Sequence, residues 1–294
     1  MRFGKSLVTL RGVYGNKASG YSNCRLPAHN DRCNKNPDMK KIIQKVKLRL
    51  LRMHFEARVG HIGGNLSSLD MLLILYHRVL GPDDLFVLSK GHAAGALYVT
   101  LWSSGRLQEE DLVQFHKDGT FLSGHPPASG IPDVIFATGS LGHGLGLAAG
   151  LSLGKRLLRA PGRVFCLMSD GEWNEGATWE SLIFAAHQRL DSLTIMVDLN
   201  GLQGFGATQE VADLSSLAQK LASFGLYVEL VDGHDAVALE RALCQIPPPG
   251  QPRAIVAHTI KGHSVSFMEH KMEWHYHPLS AKQYEQAVRE VTGE

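Results

Sequence analysis

Apolar positions along this chain fall into two periodic regimes. Five short runs are apolar almost without interruption: Leu85–Leu88, Val164–Met168, Leu193–Val197, Tyr227–Val231 and Ala254–Ala257. Such runs, bounded by polar or Gly-rich punctuation, predict strands buried on both faces. Elsewhere apolar residues recur at helical spacing. Ile42, Ile43, Val46, Leu50 and Met53 mark a helix after Pro37. A second is expected after Ser67–Ser68, with Asp70 in its first turn and Leu72, Leu73, Leu75 and Tyr76 behind it. Further helices are expected at 93–104, 140–159, 175–189, 213–224 and 235–245. Pro247–Pro249 and Gly250 form a rigid break before the last strand. Strands alternating with helices predict an α/β fold, a mostly parallel sheet with helices on both faces. The pattern contains no internal repeat and no second regime of composition, so residues 39–294 read as one domain.

Composition changes this picture only at the N-terminus. A chain of 294 residues with 44% hydrophobic and 20% charged residues suits a globular protein with a sizeable core. No apolar run approaches the roughly 20 residues that span a bilayer, and even Met71–Tyr76 is stopped by His77 and Arg78, so no membrane partner is expected. The net charge of +2 conceals an asymmetry: residues 1–52 carry 13 Lys or Arg against two acids, and the remainder carries 17 against 26. A basic arm is one signature of nucleic-acid binding. No aromatic platform accompanies it here, so residues 1–38 read as a basic, poorly ordered, solvated extension with no nucleic-acid partner. The first 30 residues lack a continuous secretory core; they are basic, Ser-bearing and acid-free, as transit peptides also are, and we read them as an untargeted tail. The four cysteines form no CxxC and no zinc-type pairing, which suits a reducing cytoplasm.

In open α/β sheets, ligands bind beyond the carboxyl ends of strands. Polar and Gly-rich segments fall there: Ser89–His92, Ser169–Glu175 and Asp198–Gly201. Asp170 and Asn200 lie 30 residues apart, the length of one strand–helix–strand crossover, so neighbouring strand tips can bring them together. A carboxylate, an amide oxygen and a backbone carbonyl are hard ligands of the kind Mg²⁺ combines with phosphates and water. Gly171 permits close backbone approach to a diphosphate. Taken singly, Asp170-Gly171 and Asn200-Gly201 each read as a turn. Their combination is what points to a metal–diphosphate site.

At these residues the chain resembles the thiamine diphosphate signature of the transketolase family, Gly-Asp-Gly followed about 30 residues later by Asn, with Ser169 in place of the first Gly. Gly60-His61-Ile62-Gly63-Gly64, Ser89-Lys90-Gly91-His92, Ser123-Gly124-His125-Pro126 and Thr138-Gly139-Ser140-Leu141-Gly142-His143-Gly144 extend the resemblance from about residue 40 to the end. It implies that Asp170, Asn200 and the Leu202 carbonyl hold Mg²⁺. It places His92, Gly139, Leu141, Gly142, Gly171, Glu172 and Asn200 around thiamine diphosphate. His61 and His125 would face the sugar, and Glu175 would buttress a carboxylate offered by a partner. Lys261-Gly262-His263…Glu269…Trp274-His275 resembles the family's closing loop, with His275 as a further substrate-facing histidine. That loop usually reads Lys-Gly-Lys and Trp-His-Gly, so His263 and Tyr276-His277 depart from it.

The implied reaction transfers a two-carbon ketol unit from a ketose phosphate to an aldose phosphate. Protons must leave a hydroxyl and return to an aldehyde oxygen, and imidazole serves both directions. His61, His92 and His125 sit in Gly- or Pro-marked loops, where function concentrates. His54, His77, His116, His187 and His234 read as structural. Full-length relatives continue into a pyrimidine-binding domain that supplies the activating glutamate. The resemblance therefore implies assembly with a separate C-terminal subunit into a heterotetramer, and a chain inactive by itself.

Three rivals remain at this stage. Val134–Thr138 as a strand followed by Gly144-Leu145-Gly146-Leu147-Ala148-Ala149 formally fits a dinucleotide fingerprint, with Asp170 on a ribose, and would make an NAD-dependent oxidoreductase. A non-catalytic scaffold is opposed by the intact Asp170, Asn200, His61, His92 and Glu175. A deoxyxylulose-phosphate-synthase-like enzyme or a specialised ketol or acyl transferase would share the cofactor.

Overall fold

The computed structural model describes residues 38–128 and 130–294; the expected N-terminal extension lies outside the described residues, apart from Asp38. In chain order the elements are α1 (Met39–Ala57), α2 (Ile62–Ile74), β1 (Leu85–Leu88), α3 (Ala94–Ser103), α4 (Glu109–Leu112), α5 (Gly144–Leu158), β2 (Val164–Ser169), α6 (Gly176–His187), β3 (Leu193–Leu199), α7 (Thr208–Val211), α8 (Leu217–Ser223), β4 (Tyr227–Asp232), α9 (Ala236–Cys244), β5 (Arg253–His258) and α10 (Ala281–Thr292). All five expected strands form. They make one sheet in the order β1-β2-β3-β5-β4, and every neighbouring pair is parallel.

The strands read as unbroken apolar runs because both faces are covered. Phe165 and Leu167 of β2, with Met196 of β3 and Ile255 of β5, pack into one core together with α1, α2 and α3. The alternate residues Val164, Cys166, Met168, Ile195, Val197 and Val256 join the other core, with residues of α5, α6 and α8. Alternation thus persists in which core a side chain enters, although not in its polarity.

Two sequence expectations need correction. α2 begins at Ile62, five residues before Ser67, and His61 precedes it in the left-handed region at φ 66°. Gly63 and Gly64 belong to its first turn rather than to a loop. Their missing side chains let Trp274, Lys261 and His92 approach. The Ser68 hydroxyl donates back to the Gly64 carbonyl and that of Ser67 donates to Asp198, instead of capping. Tertiary packing has overridden local propensity here. Val134–Thr138 forms no strand. The helix that opens at Gly144 therefore lacks the strand a dinucleotide fingerprint requires, and the NAD reading falls.

Between β1 and β2 runs a 75-residue excursion, residues 89–163, containing α3, α4 and α5. Residues 113–143 within it hold no helix or strand among the described residues, yet they deliver His125 and Gly139 to the sheet's carboxyl edge. Among the described residues no helix is long and apolar enough to cross a membrane.

Candidate active site

The carboxyl ends of β1, β2, β3 and β5 meet at one place, and a buried charge cluster lies beneath it. Asp198 of β3 has no exposed surface; it accepts hydrogen bonds from Ser67 at 2.6 Å and from Lys90 and Thr259. Burial alone would raise its carboxyl. The Lys90 ammonium, with hydrogen bonds from Lys90, Ser67 and Thr259, outweighs that and holds it below the ordinary carboxylate range. Lys90, also fully buried, donates to the Gly64 carbonyl at 3.0 Å. In the sequence Lys90 and Asp198 stand inside motifs without a role of their own; in the fold they pin β1, α2 and β3 together.

Asp170 follows β2 and reaches across to the tip of β3. Its Oδ2 accepts the Gly201 N–H at 2.8 Å and the Thr208 hydroxyl at 3.2 Å, and its Oδ1 accepts its neighbour Gly171 N–H at 2.9 Å. Burial, with the Asp198 charge nearby, pushes it up to about 6. Asn200 Oδ1 accepts the Leu202 N–H at 3.1 Å, an Asx turn at the tip of β3. Next to Gly171 lies Gln203, which sequence reasoning missed. It is buried, its Oε1 accepts from Asn174 at 3.0 Å, and its Nε2 has no partner.

An orphaned buried amide donor beside a side-chain-free residue, and a carboxylate that burial holds high despite the nearby Lys90 and Lys261 charges, are what a diphosphate with a divalent ion would resolve. The donor set is all hard oxygen on the Asp170–Asn200 side. The residues present fit the group.

Above this corner four histidines converge. The His61 ring centroid is 5.8 Å from His92, 5.7 Å from His125 and 5.2 Å from His275, and His92 is 5.5 Å from His275. All four histidines expected from sequence thus come from four separate segments to one cluster. Burial lowers each: His61 to about 4, also through His125 and Lys261; His275 to about 3, also through Lys261; His92 and His125 below their ordinary value. Lys261 Nζ lies 3.2 Å from His275 Nδ1 and is itself lowered to about 8 by burial and by Lys90. His263 stays out of the cluster; it stacks on His234 at 3.5 Å, and His234 is tied to Asp70 at 2.8 Å. His54 and His77 also have structural partners, Leu50 and Ser103.

The Thr138–Gly144 segment is wedged between strand tips. A Cβ on Gly91 would stand 2.8 Å from the backbone of Thr138 and Gly139, so only glycine lets the segment lie against β1. Gly142 packs on the Glu175 side chain, and Leu141 beside it is half-buried. Glu172 is turned inward, fully buried, accepting from Ser89 and from the Ser169 N–H at 3.3 Å, and burial pushes it up to about 7. Its carboxylate holds the frame rather than facing the cavity. Glu175, by contrast, is exposed at the start of α6.

Fold and site together define a diphosphate-cofactor domain of the parallel α/β class, with its cavity at the carboxyl edge of the sheet. Residues 39–293 match the family model described as transketolase, thiamine diphosphate binding domain, and the chain belongs to the transketolase family. It is 37% identical to one subunit of the apulose-4-phosphate transketolase of Phocaeicola vulgatus, over 85% of this chain and 92% of that one. It is 36% identical to the SqwG subunit of the 6-deoxy-6-sulfo-D-fructose transketolase of a Clostridium species, over 80% of this chain and 90% of that one. It corresponds to the N-terminal subunit of such split transketolases. The solved transketolase of Leishmania mexicana superposes with a TM-score of 0.80 at 26% identity, over 86% of this chain and 41% of that one. The chain thus spans about two-fifths of that full-length enzyme.

Proposed function

We propose that this chain is the cofactor-holding half of a two-subunit enzyme that moves a two-carbon ketol unit from a ketose phosphate to an aldose phosphate. The observation that carries the reading is the convergence of His61, His92, His125 and His275 over the Asp170–Gly201 corner. Asp170, Asn200 and the Leu202 carbonyl would hold Mg²⁺. Gly171, Gln203 and His92 would take the diphosphate, and Gly139, Leu141 and Gly142 would line the pocket. When bound, thiamine diphosphate supplies the electron sink for breaking a carbon–carbon bond.

The histidines do the proton work. Being neutral at physiological pH, His61 and His125 can each accept a proton from a sugar hydroxyl and return it. His275 has a more defined role. The Lys261 ammonium donates to its Nδ1, which leaves the ring proton on Nε2 as a donor for a substrate oxygen. Glu175 would meet a carboxylate supplied by another chain, a role that its exposure beside Gly142 supports. That partner is a C-terminal subunit with a pyrimidine-binding domain, in a cytoplasmic heterotetramer. The two relatives named as subunits support a partner in general terms.

The test is reconstitution. The purified chain should bind thiamine diphosphate with Mg²⁺ yet transfer no ketol unit, and adding the companion subunit should restore transfer. Full turnover by the chain alone would refute the shared site, and no transfer from any ketose by the pair would refute the activity.

A further inference from the structure

Outside the histidine cluster, a second set of polar groups ties α1 and α2 to the closing loop. Asp70 of α2 is buried; its Oδ1 stands 3.5 Å from the Lys47 ammonium of α1, and its Oδ2 accepts from His234 Nδ1 at 2.8 Å. Burial alone would raise the Asp70 carboxyl. The His234 hydrogen bond and the Lys47 charge outweigh it and hold the group below the ordinary carboxylate range. An ionised carboxylate only accepts, so the His234 ring proton is on Nδ1. Its other nitrogen accepts the Ile260 backbone N–H at 2.9 Å. A backbone N–H only donates, so both bonds demand the same neutral tautomer.

Ile260 opens the turn that carries Lys261. The His263 N–H closes it onto the Ile260 carbonyl at 3.1 Å, and the His263 ring stacks on His234 with centroids 3.5 Å apart. His234 therefore grips both ends of the turn. Between them, buried Lys261 extends its ammonium to His275 Nδ1 at 3.2 Å. That ammonium ends a flexible stem, so its aim depends on where the turn is held. Asp70, His234 and His263 could also be read as a metal set. The stacked rings oppose that reading: with planes 18° apart, no ion at bonding distance lies in both, and Lys47 already stands beside Asp70.

We propose that His234, fixed in one tautomer by Asp70, is a positioning residue for Lys261 and, through it, for the tautomer of His275. It touches no reacting atom. It sets the turn, the turn sets the ammonium, and the ammonium leaves His275 with its proton on Nε2. The catalytic consequence rests on the ketose-transfer reading above; the positioning itself does not.

Nitrogen NMR of the histidine-labelled chain reads both tautomers, each ring assigned by single substitution. In the wild-type chain His234 should carry its proton on Nδ1 and His275 on Nε2. His234→Phe keeps a ring against His263 but offers Ile260 no acceptor, whereas His234→Gln places an amide oxygen where Nε2 stood. In His234→Phe the His275 signals should shift to a mixture of tautomers, and amide exchange at Ile260 should quicken. In the reconstituted two-subunit enzyme, kcat/KM should fall about tenfold or more in His234→Phe with thiamine diphosphate affinity unchanged, and His234→Gln should recover most of the loss. A proton on His234 Nε2 in the wild-type chain overturns the proposal, and that measurement needs no variant to fold. An unaltered His275 tautomer in His234→Phe overturns it equally. If the wild-type pair transfers from no ketose at all, the activity reading fails instead, and the two tautomers alone decide whether His234 positions Lys261.

Discussion

Asp170, just past the tip of β2, accepts the backbone N–H of Gly201, just past the tip of β3, over 2.8 Å. This single bond joins two neighbouring strand ends. Because Thr208 also donates to it, Asp170 closes both ends of the 201–208 loop. The loop and the proposed metal corner therefore form one unit.

That geometry makes a pH prediction. Burial raises Asp170 to about 6, and a cation binds only its ionised form. Mg²⁺-dependent affinity for thiamine diphosphate should be full at pH 7.5 and should fall as pH drops below 6, approaching about tenfold per unit for one competing proton. Asp170→Ala should abolish the Mg²⁺ dependence. Calorimetry at three pH values measures both, and an unchanged affinity in the variant would end the metal assignment.

His125→Ala should lower turnover by roughly 10²-fold or more, the ordinary scale for a lost proton-transfer group, and leave cofactor affinity within a factor of two or three. The reverse pattern would move His125 from the substrate side to the cofactor side. Steady-state kinetics of the reconstituted enzyme, beside calorimetry of the chain, distinguishes the two.

The five strands, and the helices that became α3, α5, α6 and α9, are readable from the chain because their apolar periodicity coincides with their burial. The four clustered histidines are readable because each stands in a motif. Other features lie beyond periodicity. α2 starts at Ile62 because of what Lys261 and Trp274 do 200 residues later. Lys90 and Asp198 stand in motifs that give neither a role, and only the fold shows them as a buried pair. Gln203 has no motif at all. The C-terminal helix α10 was missed despite a readable sign, the capping box formed by Ser280 and Gln283.

Lys90 and Asp198 form an ion pair with no exposed surface on either side chain. Lys90→Met should destabilise the chain by about 3–5 kcal/mol, since it leaves a buried carboxylate uncompensated. The double variant Lys90→Met/Asp198→Leu should cost distinctly less than the two single changes added together. Denaturant unfolding of the four proteins completes the cycle; strict additivity would mean that the two groups do not interact.

Several histidines make the fold acid-sensitive. His54, His61 and His263 are lowered to about 4 and His275 to about 3, chiefly by burial. Below pH 6.5 the unfolded chain takes up protons that these rings refuse, so their stabilising contribution is full above 6.5 and lost progressively toward pH 4. His54 alone, which is fully buried, accounts for on the order of 3 kcal/mol at most. The urea midpoint should drop between pH 7 and pH 5, and His54→Leu should flatten that drop; an equal midpoint at both values would contradict the assignment.

The 75-residue excursion between β1 and β2 carries a kinetic consequence. β2, α6 and β3 are joined by short connections and can assemble early, whereas closing so long a loop before β1 can pair carries a larger entropic penalty. The segments bearing His92, His125 and Leu141 all ride on that loop. They should order after the transition state for folding, so that substitutions there accelerate unfolding and barely alter the refolding rate. The expected order is thus a platform that matures first and a chemistry fitted onto it last.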